Sequence, residues 1–164
     1  MNHKTLAQSL LIQDLSSYLS TNESSISDKV LMKGFVYAGT NRLDTININN
    51  DTYRSLQFRW KCTKSNKEKE WIYKSYDTTY CDVNLDTSCN IKSKSVEYVT
   101  YSKTNYLTLK SSMLKNHYKL LKSEIFEETL LATYENEKYV VRVFNAKDGS
   151  WEISIRLRMY SRPN

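Results

Sequence analysis

Apolar and polar positions recur with two distinct periods along this chain. Leu6, Leu10, Leu11, Leu15 and Leu19 fall at helical spacing and predict a helix over residues 4–19. A polar connection over 20–27 follows. Over 28–38 the period shortens to two: Val30, Met32, Gly34 and Val36 share one face, and Leu31, Lys33, Phe35 and Tyr37 the other. That pattern predicts a strand. Residues 39–51 are rich in Asn and read as a loop. Leu56, Phe58, Trp60 and Cys62 then alternate with Gln57, Arg59 and Lys61, a charged turn covers 64–70, and a return strand covers 71–76. Residues 77–95 read as loop, and 96–101 and 106–109 as two further strands. Ser111 or Ser112 would cap a helix to about Ala132, with Met113, Leu114, Tyr118, Leu121, Ile125 and Leu130 as its buried stripe. The clearest alternation comes last. Tyr139, Val141 and Val143 interleave with Val140, Arg142 and Phe144. The Asp148-Gly149 turn pair follows, and Trp151, Ile153, Ile155 and Leu157 then interleave with Glu152, Ser154, Arg156 and Arg158.

This order predicts a mainly β domain. Five or so strands with a helix between the third and fourth is the layout of an OB barrel, here with an added N-terminal helix, and local pattern alone leaves other small barrels open. The whole chain, 1–164, is expected to form that one domain, with 1–27 as helix and connection and 28–164 as barrel. An apolar fraction of 40% suffices for a core, and three Gly and one Pro are too few for a low-complexity chain. No apolar run approaches the roughly 20 residues of a membrane-spanning helix, and Leu10-Leu11-Ile12 is too short for a signal-peptide core. An intracellular protein without a membrane partner is the expectation.

Charge sharpens the picture through its distribution. Of the net +6, residues 53–74 carry +5 and residues 139–164 carry +3, while 1–52 and 75–138 are each −1. An excess confined to two hairpins suggests a basic groove for a polyanion. Single-stranded nucleic acid needs cations along its backbone and flat rings for its bases. The outward positions offer Lys33, Phe35 and Tyr37 on the first strand, and Arg59, Lys61 and Lys74 on the next hairpin. The closing hairpin adds Arg142, Phe144, Arg156 and Arg158. Phe58, Trp60 and Trp151 lie on the apolar faces and read as core. A second class of function is a structural subunit that binds protein, using Leu31, Phe35, Tyr37, Val140 or the off-stripe Leu120 and Phe126.

Catalytic chemistry finds little footing. His117 stands beside Lys119 without a local Cys or Asp partner, no Gly-rich phosphate loop occurs, and Glu124, Glu127 and Glu128 read as an acidic helix face. The alternating glutamates of a metal-dependent tunnel-type triphosphatase are missing, since the last strand has only Glu152 against Arg156 and Arg158. Cys62, Cys81 and Cys89 are odd in number and unpaired in spacing, so they read as reduced thiols, with no zinc or other cofactor expected.

The stretch Glu124 to Met159, EIFEETLLATYENEKYVVRVFNAKDGSWEISIRLRM, resembles the C-terminal OB domain of the large subunit of replication protein A. Tyr106 to Leu109 looks like that family's third strand, and Val30 to Tyr37 its first. The resemblance implies single-stranded DNA as ligand, other OB-fold subunits as partners and a nuclear location. The related telomere complex known as CST contains OB domains of this diverged kind. Two departures stand out: the family's four-cysteine zinc ribbon has no counterpart here, and no assembly helix follows the barrel before Asn164.

Overall fold

A computed structural model describes residues 9–46, 52–63, 70–79, 91–126 and 129–158, and these described residues form three helices and eight strands. The start of the expected first helix, 4–8, and the cysteines Cys81 and Cys89 lie outside the described residues. Helix α1 (Ile12–Tyr18) is closed at its start by Asp14, whose Oδ2 accepts from the Leu11 N–H at 2.8 Å. Helix α2 (Glu23–Leu31) begins at Asn22, whose side chain accepts from the Ser25 N–H at 2.8 Å, an N-cap that satisfies one of the helix's free donors. Strands β1 (Phe35–Ile46), β2 (Thr52–Cys62), β3 (Trp71–Thr79) and β4 (Ile91–Thr100) follow. Helix α3 (Lys103–Lys115) starts at Ser102, whose Oγ accepts from the Asn105 N–H. It ends at Asn116 and His117, the latter at φ +60°. A left-handed residue there turns the chain out of the helix. Strands β5 (Lys119–Phe126), β6 (Thr129–Glu135), β7 (Tyr139–Asn145) and β8 (Trp151–Leu157) complete the chain.

All eight strands join one antiparallel sheet in the order β1-β2-β3-β4-β8-β7-β6-β5. The topology is two four-stranded meanders, each preceded by a helix, that meet last strand to last strand: β4 pairs β8 through Tyr98 opposite Ile153. No repeat is visible in the sequence, yet the arrangement is that of two like halves.

The mainly β expectation holds, and the closing hairpin lies where its alternation puts it. The barrel differs. Among the described residues the sheet has eight strands and is not closed, with β1 and β5 as its edges. Five stretches differ in kind. Residues 23–31 are helical, because Asn22 caps them and Ile26 and Val30, both fully buried, form an i,i+4 stripe that also mimics a strand alternation. The predicted loop at 39–51 holds the end of β1, and that at 77–95 holds the end of β3 and the start of β4. Residues 106–109 belong to α3. The predicted helix to Ala132 stops at Lys115, and β5 and β6 take its place. Its stripe failed because Leu121 and Ile125 also fit a strand; Ile125 is 79% exposed.

The helices cover one face of the sheet. Leu15, Tyr18, Ile26, Val30, Leu109 and Met113 pack there against Trp60, Ile72, Tyr98, Val141, Ile153 and Ile155, all essentially inaccessible to water. Each such side chain stabilises the fold by roughly 1.5–3 kcal/mol. Among the described residues the Tyr18 hydroxyl is buried here without a hydrogen-bond partner, but the charged groups that enter the layer are paired. Lys74, 2% exposed, pairs with Glu23 at 3.1 Å and donates to the Thr21 carbonyl. Buried Glu70 accepts from Asn105 Nδ2 at 2.8 Å, Thr100 Oγ1 at 3.1 Å and Tyr98 Oη at 3.2 Å, which ties α3 to the sheet.

Candidate nucleic-acid interface

Strand alternation leaves a second face on which, among the described residues, no helix packs. The register aligns that face in rows. One row runs Arg59, Tyr73, Glu97, Ser154, Arg142, Thr133 across β2, β3, β4, β8, β7 and β6. The next runs Lys61, Trp71, Val99, Glu152, Phe144, Leu131. Arg156 stands in a third row, between Ser95 and Val140.

Two rings dominate the β3 part. Trp71 and Tyr73, two residues apart, stack with centroids 5.9 Å apart and planes 12° from parallel. Lys61 Nζ lies 5.8 Å from the Trp71 ring centroid, a cation–π distance. Arg59 Nη2 donates to the Ala38 carbonyl at 3.3 Å, beside Gly39 at φ +103°, where β1 bulges. A side chain at Gly39 would strain that backbone, and its Cβ would stand 3.7 Å from the guanidinium. The Arg59 Nε is buried without a hydrogen-bond partner.

A hollow of about 550 Å³ opens beside these rings, between them and the β7–β8 turn. Glu97 and Glu152 reach it from β4 and β8. Burial, and then the nearby Glu152 charge, push the Glu97 carboxyl up to about 7. Burial and Asp148 raise Glu152 as well. Burial raises the Tyr73 phenol, with Glu97 adding to it and Arg59 opposing. The turn is fastened to the end of β4: Tyr101 Oη donates to Asp148 Oδ2 at 2.5 Å, and Asp148 Oδ1 accepts from Ser150 N at 2.9 Å and Ser150 Oγ at 2.7 Å.

Of the residues expected at a nucleic-acid site, Arg59, Lys61, Arg142, Phe144 and Arg156 share this open face. Four strand spacings, roughly 19 Å, separate Arg59 from Arg142. The others lie elsewhere. Phe35 is 3% exposed and meets Tyr98 edge-on in the core, so no base can stack on it. Lys74 is buried against Glu23, because β3 alternates with Ile72, Lys74 and Tyr76 on the helix side. Lys33 follows α2 and pairs with Asp14 at 3.1 Å. Tyr37 is exposed but sits on the helix side near Trp60, at 6.0 Å between centroids. Arg158 lies past the end of β8, 3.6 Å from Glu135.

The sequence reading missed Trp71, Tyr73, Glu97 and the hollow around them. Assigning Lys74 outward set the wrong phase for β3. The overlooked signal was Glu23 in the preceding helix, a partner able to draw a lysine into the core. Comparison with protein-family models, curated proteins and solved structures finds no match to this chain.

Proposed function

We propose that the open face of the sheet binds single-stranded nucleic acid. The observation that carries this reading is the stacked Trp71–Tyr73 pair, flanked by Arg59 and Lys61 on a sheet face that no helix of the described residues covers. Bases stack on the rings, and the strand crosses the sheet toward Arg142 and Arg156, whose exposed guanidinium groups meet phosphates. Each stacked base contributes about 1–3 kcal/mol. No reaction is part of this reading; no His or Cys lines the hollow among the described residues. Membership in a replication protein A-like or CST-like nuclear assembly is a further proposal that rests on the Glu124–Met159 resemblance alone, since the open sheet lends an OB barrel no support.

The test is fluorescence anisotropy with a labelled mixed-sequence 12-nucleotide DNA. Trp71→Ala should weaken binding by about 5- to 100-fold, one lost stack, without altering the circular dichroism spectrum. A parent protein that fails to bind this strand at 20 mM salt overturns the proposal.

A second reading, a protein-binding subunit, has its own observation. At the β5 edge Leu120, Leu121, Ile125 and Leu130 are all more than half exposed, and an unpaired edge strand is a template for another chain. A stably co-purifying subunit from the native cell, with no oligonucleotide affinity, would favour it.

A further inference from the structure

A face built for a polyanion has no use for carboxyl groups at its centre, yet Glu97, Glu152 and Asp148 line the hollow beside the stacked rings. Phosphate oxygens are repelled there. The edge of a base is not. Glu97 is largely buried, and among the described residues neither it nor Glu152 has a hydrogen-bond or ion-pair partner. Glu97 lies opposite Ser154, and Glu152 opposite Val99. The two therefore stand diagonally on adjacent strands, about 7–8 Å apart at the backbone, within reach of one ligand. On the β2 side of the same hollow stands the Arg59 guanidinium, which spends one Nη2 hydrogen on the Ala38 carbonyl and keeps other Nη hydrogens for a ligand. Across the sheet, with the Tyr73 ring between the first two, the polar groups run donor, acceptor, acceptor: Arg59, Glu97, Glu152.

The complementary edge is acceptor, donor, donor. Guanine presents that order along O6, N1–H and the exocyclic amino group. Thymine and uracil present one N–H between two carbonyls, which the carboxylates repel. Adenine and cytosine set their amino group beside a bare ring nitrogen, which leaves one carboxylate facing a lone pair. Unstacked bases of single strands are read on this edge while their faces rest on aromatic side chains. Resting on the proposed nucleic-acid function, we infer that the hollow is a guanine-reading subsite, in which Glu97 and Glu152 accept from the N1–H and amino group and Arg59 donates to O6.

The reading carries a proton linkage. Burial and Glu152 raise Glu97, so part of the population is protonated at neutral pH. The other charged or titratable groups around the hollow are Arg59 from β2, Tyr73 from β3, Tyr101 after β4, and Asp148 and Glu152 from the turn and β8. Two N–H donors favour the ionised carboxyl. Guanine binding therefore releases a proton from Glu97 and strengthens as pH rises from 6 to 8.

The test uses the full chain and three 12-nucleotide strands: all-dT, dT with a single central dG, and the same strand with deoxyinosine, which lacks the amino group, in place of the dG. A single dG cannot build a quadruplex. At pH 8 the dG strand should bind at least about tenfold tighter than all-dT, within the range for one well-made base contact. Deoxyinosine should lose most of that advantage. Glu97→Gln should bring the dG/dT ratio close to one and remove its pH dependence. Equal affinity of the parent for dG and dT strands overturns this inference and leaves the proposed function standing. No affinity for any of the three at low salt overturns both.

Discussion

Replacing Glu97 with Gln should stabilise the protein in neutral and alkaline solution and change little in acid. The folded carboxyl titrates at about 7, raised from its ordinary 4.5 by burial first and by Glu152 second. The unfolded chain gives up that proton near 4.5. Between these values the folded state binds the proton and the unfolded state does not, so stability falls as pH rises. The loss begins near pH 4.5 and is complete above about 7. Two and a half units at about 1.4 kcal/mol each amount to about 3 kcal/mol, a large part of a typical 5–15 kcal/mol stability. Gln keeps the volume and never ionises. It should therefore exceed the parent by up to about 3 kcal/mol at pH 8, or roughly 6–12 °C in Tm for a domain of this size. Urea titrations followed by tryptophan fluorescence at pH 4.5, 6 and 8 measure the difference directly. Parallel pH profiles for parent and variant would refute the reasoning, because they would mean that Glu97 ionises alike in the folded and unfolded chains.

Glu23→Ala should destabilise by about 3–5 kcal/mol in chemical denaturation, because it leaves Lys74 charged in the helix-covered layer. Burial pulls Glu23 upward, but hydrogen bonds from Tyr76 and Lys74 outweigh it and hold its pKa below the usual carboxylate value. The stability it contributes is thus present above pH 4.5 and lost as pH falls through its lowered pKa, a loss the Glu23→Ala variant should lack in an acid titration. Ile125→Asp should change stability by less than about 0.5 kcal/mol in a thermal melt, since the side chain stands in solvent. Leu109→Ala, in the covered layer, should cost about 2–5 kcal/mol by the same measurement. Arg142→Ala with Arg156→Ala should fold normally and flatten the salt dependence of oligonucleotide binding by a slope of about 0.7 for each phosphate no longer neutralised.

What could be read from the chain divides along a physical line. The β7–β8 hairpin was legible because its strands alternate strictly, its turn is Asp148-Gly149, and its inward residues Val141, Val143, Ile153 and Ile155 are the ones found buried. Elements whose apolar residues fit both periods were not legible. Val30 read as a strand position and Ile26 fell in the polar connection, yet both lie on one helical stripe, and Leu121 and Ile125 read as a helical stripe but lie on an edge strand. In each case the deciding feature is a single residue at the end of the helix, outside the apolar pattern. Asn22 closes the start of α2, and left-handed His117 ends α3 at a position usually held by glycine. Sheet order is harder still. The β4–β8 pairing joins segments more than 50 residues apart, and no turn chemistry announces it.

That long-range pairing is what makes the candidate site. Glu97 belongs to one meander and Glu152 to the other, so the carboxyl pair exists only where β4 meets β8. Sequence reading placed the excess positive charge in two hairpins, and both send cations onto the open face. It could not see that the seam between the hairpins carries the opposite sign. A surface that were basic throughout would hold any single strand by its phosphates and read nothing. With rings and cations on β2 and β3, cations again on β7 and β8, and two acceptors at the seam, the face can hold a backbone at its flanks and inspect one base at its centre. Glu97→Gln and Arg142→Ala should therefore separate cleanly, the first changing which strand is preferred and the second how strongly salt weakens every strand.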